Sequence, residues 1–231
     1  MQTANSSKPT RVRAALFDLD GTLIDSVPDI AEAVAELLAT EGLPRQPDEA
    51  VRKMVGRGVP TLVERAFIAA GRPLDAEGHA MMVERMMEIY PRHLVAKTVL
   101  MPGVREALDA LAARGIKLAI VTNKPEVFCE EILSHMGLLN DFDLVLGDRP
   151  AVNGRLLARK PAPDMLLFAL EELGVPPAEA IMVGDSGNDI ESAKAGNIYA
   201  VGIRGGYTPA PLEEFGADIV LDTMAELPRV I

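Results

Sequence analysis

Tryptophan is absent from the chain, and phenylalanine and tyrosine together bring the aromatic share to only 4%. A core without large rings must be built from Leu, Val, Ile, Ala and Met, which dominate a 48% hydrophobic composition. The lone cysteine, Cys129, excludes an intrachain disulfide framework and fits a reducing compartment, so the cytoplasm is the expected location. It lies in the helical pattern EVFCEEIL, where a small apolar packing role is expected. No apolar run approaches the roughly 20 residues of a membrane span, and the polar opening MQTANSSKPT has no signal-peptide core. Positive charge is scarce too: 23 Lys and Arg against 34 Asp and Glu leave a formal net charge of −11. That balance argues against nucleic acid and anionic membrane, whose phosphates it would repel. It does not exclude a small anion, because a few local cations can dominate a pocket. The histidines His79, His93 and His135 have no metal-ligand spacing and read as structural or surface residues.

What the chain does have is a series of short, fully apolar runs of strand length: 13–18, 117–122, 143–147, 180–185, 200–203 and 218–221. Segments of helical period lie between most of them, such as Val104, Leu108, Leu111 and Ala112, or Phe128, Ile132 and Met136. Alternating strands and helices predict an α/β fold, a parallel sheet with helices on both faces. Ligands of such sheets bind at the carboxyl ends of the strands. The connection from Asp20 to Thr122 is about three times the length of a βαβ unit, which needs about 30 residues. The surplus, 27–97, has four helical patterns (27–40, 48–54, 60–70 and 76–90) and is expected to fold as an all-helical cap over the site. The remaining 1–26 and 98–231 would form the core domain.

The polar residues that follow the apolar runs form one constellation. Asp18-Leu19-Asp20-Gly21-Thr22 closes the first run, and residues two apart in an extended chain face the same side. Thr122 and Asn123 end the second, Lys160 stands just ahead of a helix in ARKPAPD, and MVGDSGNDI adds Asp185 and Asp189. Crowded carboxylates repel one another. The crowding is tolerable if a hard divalent cation sits among them, and oxygen-only ligation suits Mg²⁺. With a metal and a lysine to neutralise charge, one Asp can attack a phosphate ester while another protonates the leaving oxygen. Each piece alone is ordinary turn or surface chemistry; four in order, each at a strand end or helix start, are not.

Taken together these motifs resemble the haloacid dehalogenase superfamily of phosphotransferases. The resemblance implies a Rossmann-like core with a helical cap inserted after the first motif. By position it implies Asp18 as nucleophile, Asp20 as general acid/base, and Thr122 and Lys160 as holders of the phosphoryl group. It further implies Mg²⁺ ligated by Asp18, the Asp20 main-chain carbonyl and Asp185, with Asp189 as a supporting acid. The stretches DGTLIDSVPDI, MVGRGVPTLVERAF, PGVREALDALAARGIKLAIVTNKP and GDSGNDIESAKAGN look like phosphoglycolate phosphatases. The expected substrate is therefore a small phosphate ester, 2-phosphoglycolate, contacted also by Thr22, Asn123 and, from the cap loop Gly56-Arg57-Gly58, by Arg57.

The alternatives are a phosphosugar mutase using the same aspartate pair, or a phosphatase for another small phosphorylated metabolite. A dehalogenase has no use for an acid at Asp20, and a phosphonate hydrolase would need a Schiff-base lysine such as Lys53 with a small residue at 20. The methionines of HAMMVERMMEIY point to cap packing or a subunit contact, so a monomer or homodimer is expected. GIRGGYTP (202–209) reads as a turn near the rim of the site.

Overall fold

The computed structural model describes residues 8–149, 151–208 and 210–231. Residues 1–7 of the polar opening, and Pro209 of the expected rim turn, lie outside the described residues. In chain order, β1 (Ala14–Phe17) and β2 (Ile24–Asp25) precede four helices, α1 (Val27–Thr40), α2 (Asp48–Arg52), α3 (Val59–Ala69) and α4 (Ala76–Ile89), and a 3-10 turn at Tyr90–His93. β3 (Val99–Leu100), α5 (Val104–Ala113), β4 (Lys117–Pro125), α6 (Glu126–His135) and β5 (Leu144–Asp148) follow. The chain continues through α7 (Asp164–Leu173), β6 (Ala180–Gly184), α8 (Gly187–Ala195), β7 (Tyr199–Ile203), β8 (Ile219–Leu221) and α9 (Leu227–Val230).

The main sheet has six parallel strands in the order β5-β4-β1-β6-β7-β8. Its central strands are apolar on both faces because both faces are covered. Ala15 and Phe17 of β1, with Ile181 and Val183 of β6, pack beneath α5 and α6. Their neighbours Ala14, Leu16, Ala180 and Met182 pack against α7 and α8 on the other side. This two-residue alternation between two cores is what a doubly covered parallel strand requires, and the expected α/β class with a helical insertion is the class observed.

Helices α1–α4 and the 3-10 turn are inserted between β2 and β3. Their apolar faces, with Leu37, Val51, Leu62, Phe67, Met82 and Met86 buried, belong to the same continuous core as the α5/α6 face of the sheet. The methionine-rich α4 thus contributes Met82 and Met86 to packing, while Met81 is exposed. Of the histidines, His79 meets the Pro60 carbonyl, His93 pairs with Glu36, and His135 is exposed.

Two features of the stem lie beyond the sequence patterns. β2 and β3 pair antiparallel, Ile24 with Leu100 and Asp25 with Val99; two-residue strands are too short for alternation to be read. Asp29, buried in the first turn of α1, accepts hydrogen bonds from the Lys97 and Thr98 amides and the Thr98 hydroxyl at 2.7–2.9 Å, binding the exit of the insertion to its entrance. The strand expected to end at Thr122 also runs on to Pro125, re-pairing with Asp148 of β5 after a register shift.

Candidate active site

β1, β4 and β6 are neighbours in the sheet, so their carboxyl ends bring Asp18, Thr122 and Asp185 together. Beyond Phe17 the chain leaves the sheet and turns at Gly21, whose φ of 88° favours glycine. A Cβ there would also lie 2.6 Å from the Asp185 carboxylate. Thr22 Oγ1 donates to Asp185 Oδ1 at 3.1 Å, and the Tyr207 amide donates to Oδ2 at 2.6 Å. A side chain at Gly206 would collide with Asp185 at 2.3 Å. The 202–208 loop therefore cradles Asp185 directly. Thr22, expected at the substrate, holds this carboxylate instead.

Lys160 is the hub of the acidic side. Its ammonium donates to Asp18 Oδ1 (2.9 Å), Asp189 Oδ1 (2.6 Å) and the Val121 carbonyl (2.7 Å), which uses all three protons. Burial alone would lower its pKa, but Asp18 and Asp189 outweigh burial and raise it. Asp189 is further held by the Ser186 amide and hydroxyl, closing a capping box at the start of α8.

Asp20 has a separate partner. Lys124 Nζ lies 2.9 and 3.0 Å from its two oxygens and donates to the Tyr90 hydroxyl at 2.5 Å. The Ser26 hydroxyl donates to Asp20 Oδ1 at 2.5 Å, and the Ser26 amide donates to the Tyr207 hydroxyl. Burial lowers the Lys124 pKa, and the charge of Asp20 and the Tyr90 hydroxyl more than offset this, raising it overall. Lys124, Tyr90, Ser26 and Tyr207 carry no pattern of their own in the sequence; the signals are that Lys124 belongs to the IVTNKP strand end, Ser26 to DGTLIDSVPDI and Tyr207 to the GIRGGYTP turn expected at the rim.

Asp18 and Asp20 line one narrow cleft of about 40 Å³ with Thr122, Asn123 and Lys124. Its walls are the apolar side chains of Ile30, Val55, Val59 and Leu62 together with Tyr90, all from the insertion. The Thr122 hydroxyl accepts from the Lys124 amide at 3.3 Å. Asn123, expected to contact substrate, is a strut: its amide donates to the Gly56 and Lys160 carbonyls and its oxygen accepts from the Lys160 amide. Asn188 donates to the same Gly56 carbonyl. This anchoring turns Arg57 away. Arg57 is exposed and lines a second cavity, about 260 Å³, with Lys53, Arg65, Asn188 and Glu191. The structure does not bring Arg57 to Asp18 and Asp20.

Asp18, Asp185 and Asp189 each offer one oxygen within 4.8 Å of the others. Three buried carboxylates share one lysine, so the trio is short of positive charge. Burial, then the charges of Asp189 and Asp18, push Asp185 up to about 8. An all-oxygen, charge-deficient trio fits a hard divalent cation. Asp189 is held on both oxygens, one of them by the Lys160 ammonium, whereas Asp185 meets only the neutral Thr22 hydroxyl and Tyr207 amide and Asp18 meets Lys160 through Oδ1. No helix among the described residues is long and apolar enough to cross a membrane.

Comparison with known proteins places the chain in a family. The phosphoglycolate phosphatase of Rhodospirillum rubrum is 40% identical over 220 residues, 93% of this chain and 89% of that protein. That of Caulobacter vibrioides is 38% identical over 213 residues, 92% of this chain and 88% of that protein. The crystal structure of a predicted phosphoglycolate phosphatase from Haemophilus somnus superposes with a TM-score of 0.86 at 31% identity, over 96% of this chain and 98% of that one. The family model of haloacid dehalogenase-like hydrolases matches residues 12–197, from the start of β1 through α8 and thus across every acidic residue of the cleft. The chain belongs to the haloacid dehalogenase-like hydrolases.

Proposed function

We propose that the chain is a phosphoric monoester hydrolase that cleaves 2-phosphoglycolate to glycolate and phosphate through an aspartyl-phosphate on Asp18. The observation that carries this reading is the pairing of two carboxylates in one cleft, each meeting a different buried lysine. Asp18 would attack phosphorus while Asp20 protonates the departing alkoxide; Asp20 would then take a proton from water as that water cleaves the acyl phosphate. Thr122 would hold a phosphoryl oxygen, and Lys160 another once Asp18 turns to phosphorus and frees the proton it now accepts. Asp18, the Asp20 main-chain carbonyl and Asp185 would hold Mg²⁺, which when bound neutralises the phosphoryl charge that otherwise repels an attacking carboxylate. Asp189 would keep Lys160 in place.

The cleft as it stands has room for only a few waters. The segment 27–97 is therefore proposed as a lid that moves on the β2–β3 stem to admit an ester. The choice of 2-phosphoglycolate is supported by the relatives named above, which also favour hydrolysis over the mutase alternative. The test is phosphate release from a panel of small phosphate esters with Mg²⁺ present. The highest kcat/KM is expected for 2-phosphoglycolate; a clear preference for a sugar phosphate or a phosphorylated alcohol would overturn the substrate.

A further inference from the structure

From the cleft geometry we infer that Lys124, with the Tyr90 hydroxyl beside it, reads the carboxylate of the leaving group, and that Arg57 does not. The inference rests on the reaction proposed above and names the residues that select its substrate.

Lys124 is the one cation among the described residues lining the inner cleft; the other charged side chains among them are Asp18 and Asp20. Ile30, Val55, Val59 and Leu62 also line the cleft, and their apolar side chains offer an anion nothing. The geometry of a two-carbon acid does the rest. Its ester oxygen, methylene and carboxylate are consecutive, so a carboxylate oxygen lies about 3 Å from the ester oxygen by ordinary bond lengths. Asp20, as the acid, must approach that ester oxygen within hydrogen-bond reach. Lys124 Nζ is 2.9 Å from one Asp20 oxygen and 3.0 Å from the other. The leaving-group carboxylate and the Lys124 ammonium thus converge on one spot. When Asp20 turns an oxygen toward the ester, Lys124 gives up one of its two contacts to that carboxylate, and the freed proton can go to the substrate. A longer leaving group would carry its polar atoms past this point.

The reader is assembled from two parts of the chain. Lys124 stands at the end of β4, whereas Tyr90 opens the 3-10 turn that ends the insertion. The Tyr90 ring packs edge-on against Phe128 with centroids 5.1 Å apart, and Lys124 Nζ lies 4.8 Å from its centroid. The hydroxyl is thereby held beside the ammonium, where it can donate to a carboxylate while accepting from lysine.

The test compares 2-phosphoglycolate with 2-hydroxyethyl phosphate, in which a CH₂OH replaces the carboxylate on the same two-carbon skeleton. A charge-assisted bond predicts a wild-type preference in kcat/KM of about tenfold to a hundredfold for the acid. Lys124→Met should reduce that ratio to near one, Lys124→Arg should retain most of it, and Arg57→Ala should leave it unchanged. An equal loss on both substrates in Lys124→Met would mean that Lys124 only positions Asp20, and would overturn the inference. Should Lys124→Met fail to fold, Tyr90→Phe keeps the ring and its packing. A several-fold fall in the ratio supports the inference, and an unchanged ratio overturns it. If the wild type releases phosphate from other esters but does not prefer the acid, the substrate reading itself has failed. If it prefers the acid and Lys124→Met still does, only the role of Lys124 has failed.

Discussion

Two cavities flank the Val55–Gly58 loop, and they hold cations in opposite ways. In the inner cleft Lys124 is buried against Asp20, and behind the cleft Lys160 is buried against Asp18 and Asp189. The outer cavity has Lys53, Arg57 and Arg65 on its lining, with Lys53 and Arg57 exposed. More cationic side chains therefore line the outer cavity than the inner one. Yet a unit charge 4 Å from its partner is worth about 1 kcal/mol in water and about 4 kcal/mol in a protein-like dielectric. Side-chain entropy and salt reduce the exposed interaction further. Burial and fixed partners, and not the number of cations, make a site selective for a small anion. A proximity argument from the GRG loop alone favours Arg57; the packing of that loop reverses the preference.

The comparison breaks most severely at Asp18. Asp18→Asn keeps the shape and Lys160 contact but removes the nucleophile, so turnover should fall by about a thousandfold or more with the thermal transition retained. Near-normal phosphate release would remove the inner cleft from the chemistry altogether. Metal removal comes next. EDTA should silence the enzyme and Mg²⁺ restore it, and Asp185→Ala should demand more Mg²⁺ for the same rescue. Full activity in chelator would detach the acidic trio from function. Asp20→Ala sharpens the distinction within the cleft. Loss of a general acid should cost about a hundredfold or more on 2-phosphoglycolate, and much less on p-nitrophenyl phosphate, whose leaving group needs no proton. Equal losses on both would make Asp20 a scaffold. The smallest effect belongs to the outer cavity: Arg57→Ala should change kcat/KM by no more than about threefold, in keeping with an exposed charge, and alike for acidic and neutral esters. A selective loss on the acid would overturn the contrast between the cavities.

Much of this was legible because it is local in the chain. A fully apolar run reads as a strand buried on both faces, and the point where it stops marks the sheet edge where polar residues gather. That reasoning found Asp18, Asp20, Thr122 and Asp185, and the excess length between Asp20 and Thr122 announced the insertion. It missed the β2–β3 stem because two-residue strands carry no period. It also missed Asp29, which looks like any acidic residue in a first helical turn. Its role in joining the two ends of the insertion appears only when Lys97 and Thr98 return to it.

What the sequence by itself determined, then, is the order of strands and helices, the chemistry of the motif residues and the sign of the charge problem they create. Periodicity, turn residues and side-chain type are properties of neighbours along the chain. The tertiary structure decided which partner each of those residues has. Lys124 meets Asp20 across 104 positions and Lys160 meets Asp18 across 142. The first pairing follows from β4 lying beside β1, and the second from the Asn123 and Val121 contacts that hold Lys160 to the end of β4, neither of which a local pattern records. Thr22 and Asn123 became supports, and Arg57 faced outward, because the Asp185 carboxylate and the Gly56 and Lys160 backbone groups claimed the available hydrogen bonds first. A buried polar group must be satisfied by whatever the fold places beside it, and only the folded chain says what that is.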